Sequence, residues 1–249
     1  MWSGLRFTTS RGGENSTGTM GIFAPALTSA PDPFVFFQVS SKYAGQAYDF
    51  HQSISSTNEH IWPRTEEQIS EFAERGELFG VRRLSTGEFA GLCYSTLEGV
   101  EWEIGGLTVT EKNRHLHLGT MLVRFALAHT IATSRPWHYQ QQIIAHVHED
   151  NQNPRNLLRR IGFEFLEKVT IPGDQAPASM KRDENGNLSG DKFRFPQAGV
   201  AQLSAWFDNE FAGMLADGKT PAEFEIPPGG LETLKEALRE AVADLRVQE

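Results

Sequence analysis

Leu107-Thr108-Val109-Thr110-Glu111-Lys112-Asn113-Arg114-His115-Leu116-His117-Leu118-Gly119-Thr120 is the stretch from which this chain is best read. It has the pattern of a strand end, a short polar turn and the start of an apolar helix. The strand is expected over 101–109, with Trp102, Ile104, Leu107 and Val109 as its packing residues. Gly105-Gly106 inside that strand signals a bulge or a close backbone approach. The helix carries Leu118, Met121, Leu122, Phe125 and His129 at the i, i+3, i+4 spacing. Val123, Leu127 and Ile131 make it apolar nearly all round, which predicts burial. A glycine at the mouth of such a helix exposes unpaired N–H groups, and these together with the helix dipole favour an anion.

Known phosphate-binding turns differ in detail. The chain has no Gly-x-x-x-x-Gly-Lys-Ser/Thr segment, which excludes a Walker-type loop. It also lacks a Gly-x-Gly-x-x-Gly run followed by an acidic residue at the dinucleotide spacing. What it has is Arg114-x-x-His117-x-Gly119. This resembles the acetyl-CoA pyrophosphate loop of the GNAT N-acetyltransferase superfamily, Gln/Arg-x-x-Gly-x-Gly/Ala, with His117 in the place of the first glycine. Downstream, a strand over 141–148 precedes Asn151, a short helix and the closing pair Gly162-Phe163, which is similar to the second GNAT signature. The resemblance spans residues 34 to 171. It implies an α/β (α+β) GNAT fold, a mixed central sheet of about seven strands flanked by helices, with the acyltransferase domain over 33–195. Composition adds a flexible arm over 1–32, and helical periodicity adds a C-terminal helical extension over 196–249 that departs from a minimal GNAT domain.

The resemblance also implies a chemistry, acetyl transfer from acetyl-CoA to a primary amine by direct attack in a ternary complex. The amides of His115, Leu116, His117, Leu118, Gly119 and Thr120 would cradle the pyrophosphate, with Arg114 and Arg155 near the phosphates and Asn151 beside the cofactor. Leu107, Thr108 and Val109 fall where the family pairs its strand with pantetheine, the Val109 amide facing the thioester carbonyl. The ammonium must lose a proton before it attacks. Glu103 stands six residues before Val109, the offset of the catalytic glutamate in histone-acetylating members, and Glu101 shares its strand face as the alternative base. Where many members carry a tyrosine acid this chain has Leu158, a tolerable loss for a thiol whose free pKa is about 8.5.

Six of the eight histidines lie between His115 and His148. His146 and His148 alternate onto one strand face, which offers a metal pair, but no further spaced ligand follows them. They are therefore read as acid–base groups, His146 among the catalytic candidates, and no metal is expected. Tyr48, His60 and Trp62 sit on the segment that builds the acceptor wall in the GNAT fold, and aromatics there can frame an amine.

Composition bounds the rest. The chain has 249 residues and a net charge of −9, with ten acidic against four basic residues after residue 195. Nucleic-acid binders show basic surfaces, so an RNA or DNA partner is disfavoured and a cationic acceptor is favoured. The single cysteine, Cys93, excludes an intramolecular disulfide and suits a reducing cytoplasm. The sequence offers neither a membrane-length apolar run nor a secretory N-terminus, so a cytoplasmic location is expected. Thr65-Glu66-Glu67-Gln68 reads as a helix capping box, and 192–195 as the last strand. Helical periodicity covers 200–215 and 231–245, and the stripe Leu234, Ala237, Leu238, Ala241, Leu245 must bury itself on this domain or on a second copy in a homodimer.

Overall fold

The computed structural model describes residues 31–226 and 229–247. The arm expected over 1–32 therefore lies almost wholly outside the described residues. In chain order come β1 (Phe34–Gln38), α1 (Ala44–Ser55), α2 (Glu66–Glu74), β2 (Leu78–Arg83), β3 (Phe89–Glu98) and β4 (Glu101–Val109). Then follow α3 (Leu118–Ser134), β5 (Gln142–His148), α4 (Gln152–Ile161), β6 (Glu164–Ile171), β7 (Leu188–Phe195), α5 (Gly199–Ala205), β8 (Ala222–Glu225) and α6 (Gly230–Val247). The sheet order is β6-β7-β5-β4-β3-β2-β1-β8. Pairing is antiparallel from β1 to β4, parallel between β4 and β5, and antiparallel again between β5, β7 and β6.

Eight strands stand where about seven were expected. The addition is β8, which pairs parallel to β1 through Phe34↔Ala222 to Phe37↔Glu225. Four residues next to prolines read as a linker in isolation. They form a strand because Phe224 stacks on Phe36 at 5.1 Å and meets Phe125 and Phe211 edge-on. Two residue ranges also shift. β7 begins at Leu188 rather than 192, drawn out by pairing with β6 through Ile171↔Leu188. The helix expected over 200–215 ends early, as α5 passes into a π-helical turn at Trp206–Glu210 and Phe211 turns extended. Trp206, Phe207 and Phe211 are turned there into one aromatic cluster around Phe224.

Burial follows two layers, one on each sheet face. α3 has eleven buried residues, among them Leu118, Leu122, Phe125, Leu127 and Ile131, because the sheet lies on one side and α6 on another. Leu234, Leu238 and Ala241 of α6 are buried in this same core. The tail stripe is thus covered by its own domain, which removes the reason to invoke a second copy. On the opposite face α1 and α2 close a smaller core of Phe37, Ile69, Phe72, Leu92 and Tyr94. α2 opens with the expected reciprocal cap, the Gln68 amide donating to Thr65 Oγ1 at 3.2 Å and the Thr65 amide to Gln68 Oε1 at 3.1 Å.

Candidate active site

The site begins where two strands part. β4 and β5 pair only from Glu101↔Gln142 to Glu103↔Ile144. Beyond that point β4 is pulled toward β3 by a bulge. Leu92 faces Thr108 while Tyr94 faces Gly105, so the register slips between them, and Gly106 takes φ +61°. The Tyr94 ring lies over both glycines, and a Cβ at Gly105 would stand 2.5 Å from it. This is the close approach that Gly105-Gly106 signals in the sequence. The gap between the strands opens into a cavity of about 490 Å³, walled by β4 from Glu103 to Leu107, β5 from Ala145 to His148, and the α1–α2 loop at His60–Trp62.

Glu103 and His146 face each other across the splay, Oε1 to Nδ1 at 3.5 Å, with Glu103 the more buried of the two. Of the two candidate bases only Glu103 lines the cavity. Glu101 is held by Lys192 of β7 at 2.7 Å, an ion pair that removes its carboxylate from the base role expected as the alternative. Lys192 comes from a strand 91 residues away, so no local pattern shows the pairing.

The mouth of α3 sits beside the end of β4. A Cβ on Gly119 would meet Val109, Leu157 and Leu107 at 3.4 to 3.6 Å, which brings both signature segments and the strand end together. His117 takes the left-handed conformation, φ 59°, at the place of the family's first glycine. The amides of this loop divide into two groups. His117 N–H donates to Arg114 O, and the Thr120 and Met121 N–H groups donate to His117 O. Those of Leu118 and Gly119 meet no backbone acceptor among the described residues. The cradle expected from six amides is therefore narrower, because Glu111–Leu116 winds into a 3-10 turn before α3. Leu116 and Thr108 are buried, while Arg114 and His115 are exposed.

Asn151, at the head of α4, lines the cavity. Arg155 points elsewhere. It pairs with Asp191, which is 1% exposed, and donates to Glu149 O at 2.8 Å. A buried carboxylate needs that partner, so the phosphate role expected of Arg155 gives way to a structural one. Leu158 is buried in the cavity wall. Among the acceptor candidates His60 and Trp62 line the cavity, whereas Tyr48 packs in the smaller core and accepts from Gln52 Nε2 at 3.1 Å. His148 parts from His146, its ring lying 4.7 Å from that of His60. Sequence reasoning passed over Tyr94. Its hydroxyl accepts from Arg64, its ring stacks on Phe72, and burial with the nearby Glu103 charge pushes its phenol pKa up. The glycine pair was the signal that a ring would lie there.

Residues 78–170 match the family model described as FR47-like protein, a GNAT-related family. A GNAT-family acetyltransferase from Streptococcus pneumoniae matches with a TM-score of 0.50 at 13% identity, over 66% of this chain and 99% of its own. The chain has the GNAT fold. Also similar are the ribosomal-protein-S18-alanine N-acetyltransferase of Escherichia coli, at TM-score 0.46, 14% identity and coverage of 66% and 93%. The diaminobutyrate acetyltransferase of Paenibacillus lautus, solved with its substrate and coenzyme A, gives TM-score 0.48, 7% identity and coverage of 66% and 96%. No curated protein sequence matches. In this GNAT domain the family-model match runs from β2 to β6 and so contains β4, α3 and α4, the elements that carry the loop, the splay and Glu103. No helix among the described residues is long and apolar enough to cross a membrane.

Proposed function

We propose that the protein is an acetyl-CoA-dependent N-acetyltransferase acting on a primary amine, with direct attack in a ternary complex. The observation that carries this reading is the Glu103–His146 pair, 3.5 Å apart on the wall of a cavity that opens between β4 and β5. Pyrophosphate would meet the free Leu118 and Gly119 amides, which the dipole of α3 reinforces. Arg114 and His115 stand exposed beside them, and Asn151 lines the wall from α4. Leu107, Thr108 and Val109 would run along pantetheine, and the Val109 amide would donate to the thioester oxygen.

Glu103 accepts a proton from the acceptor ammonium, and His146 relays it outward, since its ring is the more exposed of the pair. Nitrogen then attacks the thioester carbon and the carbon–sulfur bond breaks. No side chain at Leu158 can protonate the thiolate, so it leaves as the anion, and the second proton shed by the acylated nitrogen reaches it through water to give the free thiol. His60 and Trp62 frame the amine, and the acidic balance of the chain favours a cationic acceptor. Such an enzyme would work in the cytoplasm, where acetyl-CoA is supplied.

Calorimetric titration with acetyl-CoA, followed by an amine screen with thiol release as readout, tests this. Glu103→Gln should cut turnover by about 10²–10³-fold and leave acetyl-CoA affinity nearly unchanged. Unchanged turnover would remove Glu103 from its role. A second reading rests on Leu158 and His117, a degenerate domain that binds CoA or a protein partner without chemistry. Binding of acetyl-CoA with no thiol release across the amine screen would favour it.

A further inference from the structure

On the rim of the cavity three metal-type donors from different segments converge. His60 comes from the α1–α2 loop, His148 ends β5, and Asp150 begins the turn into α4. One donor atom from each lies within 4.8 Å of the others. His60 Nε2 is buried and meets no hydrogen-bond partner. The tautomer of His148 follows from its neighbours. Its Nδ1 receives the Asp150 amide N–H at 3.2 Å, so the ring proton is on Nε2, which donates to Lys181 O at 3.0 Å. A ring N–H held by a backbone carbonyl is the usual way a ligating histidine is oriented, and Nδ1 reaches an ion by giving up the Asp150 amide N–H it now accepts. The Asp150 carboxylate already attracts a cation, the Lys181 ammonium at 2.6 Å.

We propose that His60, His148 and Asp150 form a three-ligand site for a divalent transition-metal ion of the zinc class on the rim of the cavity. Two imidazoles and a carboxylate suit such an ion, with water as the fourth ligand. Ligand atoms around tetrahedral zinc stand about 3.3 Å apart, given bonds of about 2.0 Å. The three donors therefore draw inward, a movement open to them because Asp150 is exposed and His60 sits on a loop. Lys181 gives way as the ion arrives, releasing the carboxylate it holds. An ion there ties the α1–α2 loop to the turn after β5, and so braces the wall formed by His60 and His148. The sequence offered His146 with His148 as the metal pair. Folding sets His148 beside His60 instead, 88 positions away, where spacing rules do not reach.

The test is calorimetric titration of the full chain, stripped of metal with a chelator, using zinc chloride as the probe and magnesium chloride as control. One zinc per chain is expected and no response to magnesium, which prefers all-oxygen sites. Cys93 is fully buried and supplies no competing thiolate. His60→Ala, His148→Ala and Asp150→Asn should each weaken zinc by more than about tenfold, the scale of losing even an orienting group. Lys181→Ala should strengthen it several-fold by removing the competing ammonium. Thermal melts without zinc check folding. If His148→Ala melts early, His60→Ala and Asp150→Asn decide, since both change rim residues on loops. No zinc binding up to millimolar, or binding that survives His60→Ala and Asp150→Asn, overturns the proposal; the latter result would place the ion elsewhere, as at His115 and His117. None of these readouts depends on acetyl transfer, so either idea can fail alone.

Discussion

Replacing Arg155 by Met separates a phosphate-binding arginine from a structural one. Asp191 is 1% exposed and its carboxylate is paired with Arg155, whose own side chain is 20% exposed. Methionine keeps most of the volume and removes the charge, leaving a carboxylate in the core between β7 and α4. Breaking one side of a buried pair costs about 3–5 kcal/mol, because the remaining ion has lost its counter-charge but not its desolvation. In a body of roughly this size each kcal/mol lowers Tm by about 2–4 °C, so a drop of about 6–20 °C is expected. Arg155→Met should be compared with the double variant Arg155→Met/Asp191→Leu by urea unfolding and thermal melts at neutral pH. The double variant should regain most of the loss, since an apolar pair of similar volume replaces a buried ion pair at little cost. A loss under about 1 kcal/mol in the single variant, with acetyl-CoA binding weakened tenfold, would refute this reasoning. It would return Arg155 to the phosphate role its position in the signature suggests.

Stability should also fall in acid through His129, whose pKa burial lowers from 6.5 to about 4. The folded chain holds it neutral, so its contribution is complete above pH 6.5 and is lost as pH falls toward 4. The loss amounts to about 3 kcal/mol at most, and His129→Leu should flatten that slope in urea titrations taken between those limits. Gly105→Ala drives a methyl into the Tyr94 ring, which Arg64 and Phe72 hold in place, and should cost about 1–3 kcal/mol by the same unfolding assay. A neutral result would mean that Tyr94 swings freely. His117→Gly removes a side chain from a left-handed residue and should stabilise by about 0.5 kcal/mol, the relief of strain being partly offset by unfolded-state entropy. Destabilisation there would show that the imidazole makes a contact worth more than its strain.

The sequence by itself determined the parts of this protein whose signals are local. The β4–α3 stretch, the capping box at Thr65, the bulge glycines and the all-apolar helix were legible because backbone conformation and side-chain periodicity depend on residues a few positions apart. So was the GNAT architecture, since its motifs stand in order along one segment. Tertiary structure alone decided which charges find each other. Glu101 with Lys192, Arg155 with Asp191 and His60 with His148 join segments 36 to 91 positions apart, and each pairing changed the role read for a residue. It also made a strand of Ala222–Glu225 and laid α6 on α3, because an edge strand and an amphipathic helix take their partners from whatever surface folding leaves open. Periodicity says that a face must be buried, and the packed chain decides against what.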